Sequence, residues 1–411
     1  MRINDSRLMW VCLCVAATLL PQTASAQETA SDHIQPQVTR TQFTRFMQSL
    51  HLESDQRNIV DFAFADYVAA LSDLTKLTDE AAIKAGRQKV TDALGGKARL
   101  KPEELAQLRV DVLNVYRTAW PQADAIFDDL IYGVQSMLVG EQGAALEPAL
   151  RELRRSVFLH PRQLEAEYHG YAGEGVDVQM LADEALKPGG ELEPLGRDAI
   201  APILDGYELE MDALLNQTAA PLRSLRLERK IAEINKDADE IERLEQQSID
   251  LWKQLFALNR STVERIGSQL DEAGRALWMD RFDQASFTWL FPRRVPDRQI
   301  EWMRKEQVSA DIQAKADTIY AEYLAKRRAI SGKAIEIMLK ARMELHVALN
   351  PMDPSGIDGR GRDLYTNLLK NSGEQSTLDG ATESKLESLL PEGQREKLRN
   401  AMKRSDPGRR R

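Results

Sequence analysis

LRSLRLERKIAEINKDADEIERLEQQSIDLWKQLFALNRSTVERI, residues 222–266, holds neither proline nor glycine and decides how the rest of the chain is read. Its small or apolar positions are Leu227, Ile231, Ile234, Ala238, Ile241, Leu244, Ser248, Leu251, Leu255, Leu258, Thr262 and Ile266. Steps of three and four predict one long helix with a narrow buried stripe, as in a coiled coil. Consecutive steps of three from Ala238 through Leu244 resemble a stammer. Charged residues such as Glu228, Arg229, Lys236, Asp239 and Glu242 fill the other faces. Such a rod gains stability by laying its stripe on a partner.

A matching run lies downstream. Between Pro296 and Pro351 there is no proline and a single glycine, Gly332, so residues 297–350 also read as one helix. Its stripe is Ile312, Ala316, Ile319, Tyr323, Ile330, Ala334, Ile337, Ala341 and Ala348. Two arms of this length, each spanning about 60 Å for roughly 40 residues, predict a long antiparallel coiled-coil-like hairpin. The arms can pair within one chain or between chains, and periodicity allows both.

The chain opens with Arg2 and Arg7, an apolar run from Leu8 to Leu20, and the small-residue end Ala24-Ser25-Ala26. That layout predicts a signal peptide over residues 1–26 and an exported product, periplasmic or secreted, starting at Gln27. The run is too short for an ordinary membrane span, and nothing later is long enough. Cys12 and Cys14, the two cysteines of the sequence, leave with the leader, so stability must come from packing. Removing Arg2, Arg7 and Asp5 leaves 53 Lys and Arg against 63 Asp and Glu. That acidic balance argues against nucleic-acid binding.

Helical spacing runs throughout, and alternating β-branched stretches are absent, which predicts an all-α fold. A loose N-terminus (27–40) precedes an N-terminal helical body over residues 41–169. A seam rich in Gly and Pro follows at 170–196, with Val176 to Met180 as the one strand candidate. The hairpin occupies 197–350, a flexible linker with a short helix at Leu364 to Lys370 occupies 351–382, and a helix with a basic tail closes the chain at 383–411.

Four tryptophans fall between Trp252 and Trp302. The cluster Trp278, Phe282, Phe287, Trp289, Phe291, Arg293, Arg294 and Trp302 would stand at the hairpin tip. Aromatics and arginines dominate protein contacts, so these are the candidate partner-binding residues. The same cluster could instead form a mini-core that closes the hairpin.

No catalytic, cofactor or metal signature stands out. Glu165 and His169 share ligand spacing, but one such pair is too few for a metal site. Gly356, Gly359 and Gly361 lack a preceding strand and a phosphate-loop lysine, and Asp353, Asp358 and Asp363 miss the calcium-loop spacing. With no G-x-S-x-G, no H-E-x-x-H and no catalytic cysteine, the sequence reads as a non-enzymatic protein without cofactor or metal. The expected partners are other proteins, unfolded clients or an envelope partner; the alternative is a coiled-coil structural spacer or self-associating scaffold whose long helices pair between copies of the chain.

One short pattern returns along the sequence. It reads LESDQRNIV from Leu52, LDEAGRALW from Leu270 and LPEGQREKL from Leu390, with a looser copy at Leu100. Physically it is a helix start, with a leucine outside the helix and acidic residues at the positive end of the dipole. Leu52 with Gln56, and Leu390 with Gln394, resemble the LTxxQ motif of the Spy and CpxP group of periplasmic helical proteins. Glu53 and Pro391 stand where that motif has threonine. The resemblance implies a chaperone-like or stress-related role in the cell envelope, exerted by cradling unfolded clients.

Overall fold

The computed structural model describes residues 38–94, 101–159, 175–344 and 361–404. The expected leader, Glu165, His169, the linker at 351–360 and the basic tail lie outside them. Within the described residues the chain is all-α, with no strand. In chain order the helices are α1 (Arg40–Ser49), α2 (Ser54–Leu94), α3 (Pro102–Thr118), α4 (Trp120–Gln135), α5 (Glu141–Phe158), α6 (Val178–Ala185) and α7 (Arg197–Asn235). There follow α8 (Ala238–Gly267), α9 (Glu272–Ser286), a 3-10 turn (Thr288–Leu290), α10 (Val295–Lys305), α11 (Ala310–Glu344), α12 (Arg362–Ser388) and α13 (Glu392–Arg404). The chain divides into two compact units, Met1–Gln163 with Glu208–Ser248, and Leu164–Tyr207 with Ile249–Arg411.

In the first unit, α1 packs on α5, and α2 packs on α3 and α4. Thr39 starts α1 with a capping box: its Oγ1 accepts from the Gln42 N–H (3.3 Å), and Gln42 Oε1 accepts from the Thr39 N–H (2.9 Å). Phe43, Phe46, Leu50, Leu52, Val60, Phe64 and Tyr67 form the middle of the core. Phe43 stacks on Phe64 with ring centroids 4.3 Å apart. Each such buried side chain contributes roughly 1.5–3 kcal/mol. The Tyr67 hydroxyl accepts from the Val38 N–H at 3.1 Å, and burial pushes its pKa up. A second cluster joins Leu74, Ala82, Leu113, Tyr116, Ala119 and Leu227. Beside it the Arg223 guanidinium lies over the Trp120 ring and forks onto Asp124 at 2.9 and 3.0 Å.

Residues 222–266 are not one helix. Lys236 takes a left-handed conformation (φ 57°), and Asp237 then caps α8 by accepting the Glu240 N–H at 3.1 Å. The break adjoins Ala238, where the three-residue steps begin. An aspartate favours a helix start, and a single left-handed lysine costs only about 1–2 kcal/mol, so the turn forms without glycine or proline to announce it. Residues 297–350 divide likewise, at Gln307 (φ 50°), between α10 and α11. Val176 to Met180 is no strand, because Asp177 caps α6 through the Met180 N–H (3.1 Å).

In the second unit the main partner of α11 is α12. The expected short helix at 364–370 is the start of the 27-residue α12. Periodicity fails there because the buried stripe is largely polar, running Leu368, Asn371, Gln375, Thr382 and Leu386. Asn371 Nδ2 donates to the Ile330 carbonyl (2.9 Å), while Gln375 Nε2 and the Tyr323 hydroxyl both donate to Asp379 Oδ1 (2.6 and 2.9 Å). Between those two bonds along α11, Arg327, buried to 8 % exposure, donates to Asp297 Oδ2 (3.1 Å) and to the Pro292 carbonyl (2.9 Å). Tyr320 donates to the same Asp297 at 3.0 Å, and burial with that carboxylate pushes its hydroxyl up to about 12. Below the seam, α10 and α13 close a core of Ile300, Met303, Leu386, Leu390 and Leu398.

Candidate binding surface

The aromatic cluster of residues 278–302 is mostly interior. Trp278, Phe282 and Phe287 are fully buried, and Trp278 Nε1 donates to the Val263 carbonyl at 2.9 Å. Phe291, Arg294 and Trp302 are half-buried, the last packed against the α10–α13 core. Arg294 lies 3.8 Å from Asp379, and exposed Arg293 pairs with Glu301. Trp289 sits in the 3-10 turn, with its side chain outside the described set. An exposed tip would require the two predicted arms to pair along their length. With both arms broken, the chain folds α9 back on the end of α8, and the aromatic carbons leave water.

The repeated helix entrance is a local lock. Leu52 and Leu390 are each 2 % exposed. Arg57 Nε donates to the Leu52 carbonyl (2.9 Å), and Arg395 Nη2 donates to the Leu390 carbonyl (3.0 Å). Gln56 Oε1 accepts from the Glu53 N–H (2.8 Å), and its Nε2 donates to the Met137 carbonyl (2.8 Å), tying the start of α2 to the α4–α5 turn. Proline has no N–H to offer, so at Pro391 the equivalent bond cannot form. Gln394 Oε1 accordingly has no hydrogen-bond partner.

The surface that stands out lies on α2. Phe62 is 73 % exposed and Leu77 63 %, and Ile59, Ile83 and Val68 are exposed too. Surface apolar residues are ordinary when scattered singly; here five large ones share the outer half of one helix, spread over about 180° of its circumference, and exposed apolar surface marks interaction sites where it is contiguous. A groove of about 540 Å³ runs along the same helix between Tyr67 and Ile83, with Val68, Ser72, Thr75 and Lys76 on its walls. The local sequence explains how this helix tolerates an apolar outer face. Ala63, Ala65, Ala69, Ala70, Ala81, Ala82 and Ala85 give strong helix propensity, and Phe64, Tyr67, Leu71 and Leu74 already anchor the inner face.

Charge on this face is predominantly acidic. Asp61 is held by Arg40 at 2.6 Å, and Asp79 accepts from the Tyr116 hydroxyl at 3.4 Å. Asp66, Asp73 and Glu80 have no ion pair among the described residues. Sequence reasoning passed over this face, although a signal was present. Ile59, Val60, Phe62, Phe64, Tyr67, Val68, Leu71 and Leu74 together cover roughly two-thirds of the helix circumference at about 100° per residue, wider than one core-facing stripe.

Among the described residues no three His, Cys, Asp or Glu side chains gather as a metal site, and no helix is long and apolar enough to cross a membrane. Compared with known protein families, curated proteins and solved structures, the chain matches none.

Proposed function

We propose that this chain is an exported, non-enzymatic protein that binds other proteins, in the chaperone-like manner that its helix-entrance motif resembles. The contact face is the outer side of α2 rather than the aromatic segment at 278–302. The observation that carries this reading is the exposure of Phe62, Leu77, Ile59, Ile83 and Val68 along one helix whose inner face is already packed. Transfer of such side chains out of water supplies affinity without directional bonding, which suits clients of varied sequence.

The test is suppression of aggregation. Purified residues 27–411 at near-equal molar ratio are expected to keep a chemically unfolded model protein in solution. The double variant Phe62→Ser, Leu77→Ser is expected to lose that effect with helicity unchanged by circular dichroism. Full protection by the variant would remove α2 as the contact face, and no protection by the parent chain would end the chaperone-like reading.

A further inference from the structure

We infer that the outer face of α2 receives a cationic amphipathic helix, an inference that rests on the binding role proposed above and names its partner. Phe62, Ala69, Lys76 and Ile83 recur every seven residues, as do Asp66, Asp73 and Glu80. Seven residues are nearly two turns, so each set forms a row with members about 10.5 Å apart, and the acidic row runs beside the largely apolar one. The intervening positions are Ala65, Ser72 and Asp79; the first two are small enough for another backbone to come close, and Asp79 adds a carboxylate at the third.

In a coiled coil the apolar row meets apolar residues of the partner, and the flanking charges select partner and orientation. Here one flank is acidic, with Asp66, Asp73 and Glu80 unpaired among the described residues, while the other runs Asp61, Val68 and Thr75. The neighbouring Asp61 is already held by Arg40, and Arg57 is turned back onto the Leu52 carbonyl. The complementary occupant is a helix with apolar residues at heptad spacing and Lys or Arg beside them, the helix-in-groove mode of peptide recognition. Lys76 interrupts the apolar row, disfavours a cation directly opposite, and so sets the register.

The experiment titrates residues 27–411 with a three-heptad peptide bearing Leu along its seam and Lys on its flanks, and with its counterpart bearing Glu on the flanks. The Lys peptide is expected to bind at least about tenfold more tightly, a difference of about 1.4 kcal/mol. Asp66→Lys with Asp73→Lys is expected to abolish that preference. A charge-matched control, Asp239→Lys with Glu242→Lys on α8, is expected to keep it. Phe62→Ser is expected to weaken both peptides.

Equal binding of the two peptides, or equal loss in the α8 control, overturns the inference by showing that no local charge pattern selects the partner. If neither peptide binds while aggregation is still suppressed through Phe62, the cationic helix is wrong and the binding role stands. If suppression fails as well, both fall. A dimer in sedimentation that Phe62→Ser dissolves would make a second copy the occupant and overturn the inference.

Discussion

Helix α2 of the first unit turns Phe62, Leu77 and Ile59 outward, whereas α11 of the second unit turns Arg327, Ser331 and Tyr323 inward. Both are long, and both would pass for the solvated arm of a bundle. The first has apolar side chains to spare, and its surplus faces water. The second has a thin apolar supply, with Ala316, Ala334 and Ala341 at buried positions, and completes its seam with ion pairs and amides. The contrast teaches that burial and polarity separate where a helix has other sources of order: alanine propensity in α2, and hydrogen bonds from α11 to α12 and α10, which leave Arg327 Nε without a hydrogen-bond partner. The surplus in α2 faces water; the network in α11 joins that helix to α12 and α10.

The sharpest way to break this contrast is Asp297→Ala. It strands the buried Arg327 guanidinium, and leaving one member of such a pair uncompensated costs about 3–5 kcal/mol. Chemical denaturation followed by circular dichroism is expected to show that loss, and a loss below about 1 kcal/mol would mean the seam is not a true interior.

A smaller effect concerns Asp283 on α9. Burial pushes its carboxyl from 3.8 up to about 6, more than the nearby Arg260 at 3.6 Å can offset, and Asp280 adds to the rise. A carboxyl whose folded pKa is raised binds its proton more tightly in the folded chain, so stability falls as pH rises from about 4 to about 6 and stays low above that. Asp283→Asn is therefore expected to stabilise the protein by about 2–3 kcal/mol at pH 7 and by nearly nothing at pH 4. Paired denaturation curves at the two values check this, and an equal gain at both would locate the strain elsewhere.

The smallest expected effect is Phe62→Ser. At 73 % exposure its stability change stays within about 0.5 kcal/mol, measured by thermal melting. A loss of several kcal/mol would show that Phe62 belongs to a core and would erase the difference between the two helices.

Much of the fold was legible in the residues themselves. Helical spacing predicted an all-α chain, and Pro102 and Pro121 stand in the first turns of α3 and α4, where a helix tolerates them. The breaks at Lys236 and Gln307 were not legible, since neither carries the glycine that usually marks a left-handed residue. The length of α12 was hidden because Asn371, Gln375 and Thr382 occupy positions that periodicity reserves for apolar residues. Burial of the aromatic segment was open for the opposite reason. Aromatic density pointed to residues 278–302, where density meant core, while Phe62 and Leu77 sat unnoticed in a helix with more apolar residues than one face can bury.

The helix entrance at Leu52 has a consequence for what assembly costs in chain entropy. Its closing bond joins Arg57 to a carbonyl five residues earlier, whereas the seam bonds of Asn371 and Tyr323 span 41 and 56 residues. Loop-closure entropy grows with the logarithm of separation, which sets the seam about 2 kcal/mol behind the corner in chain entropy alone. The Arg57 bond is therefore the cheaper one to close in chain entropy, whereas the polar seam between α11 and α12 closes only across a long loop.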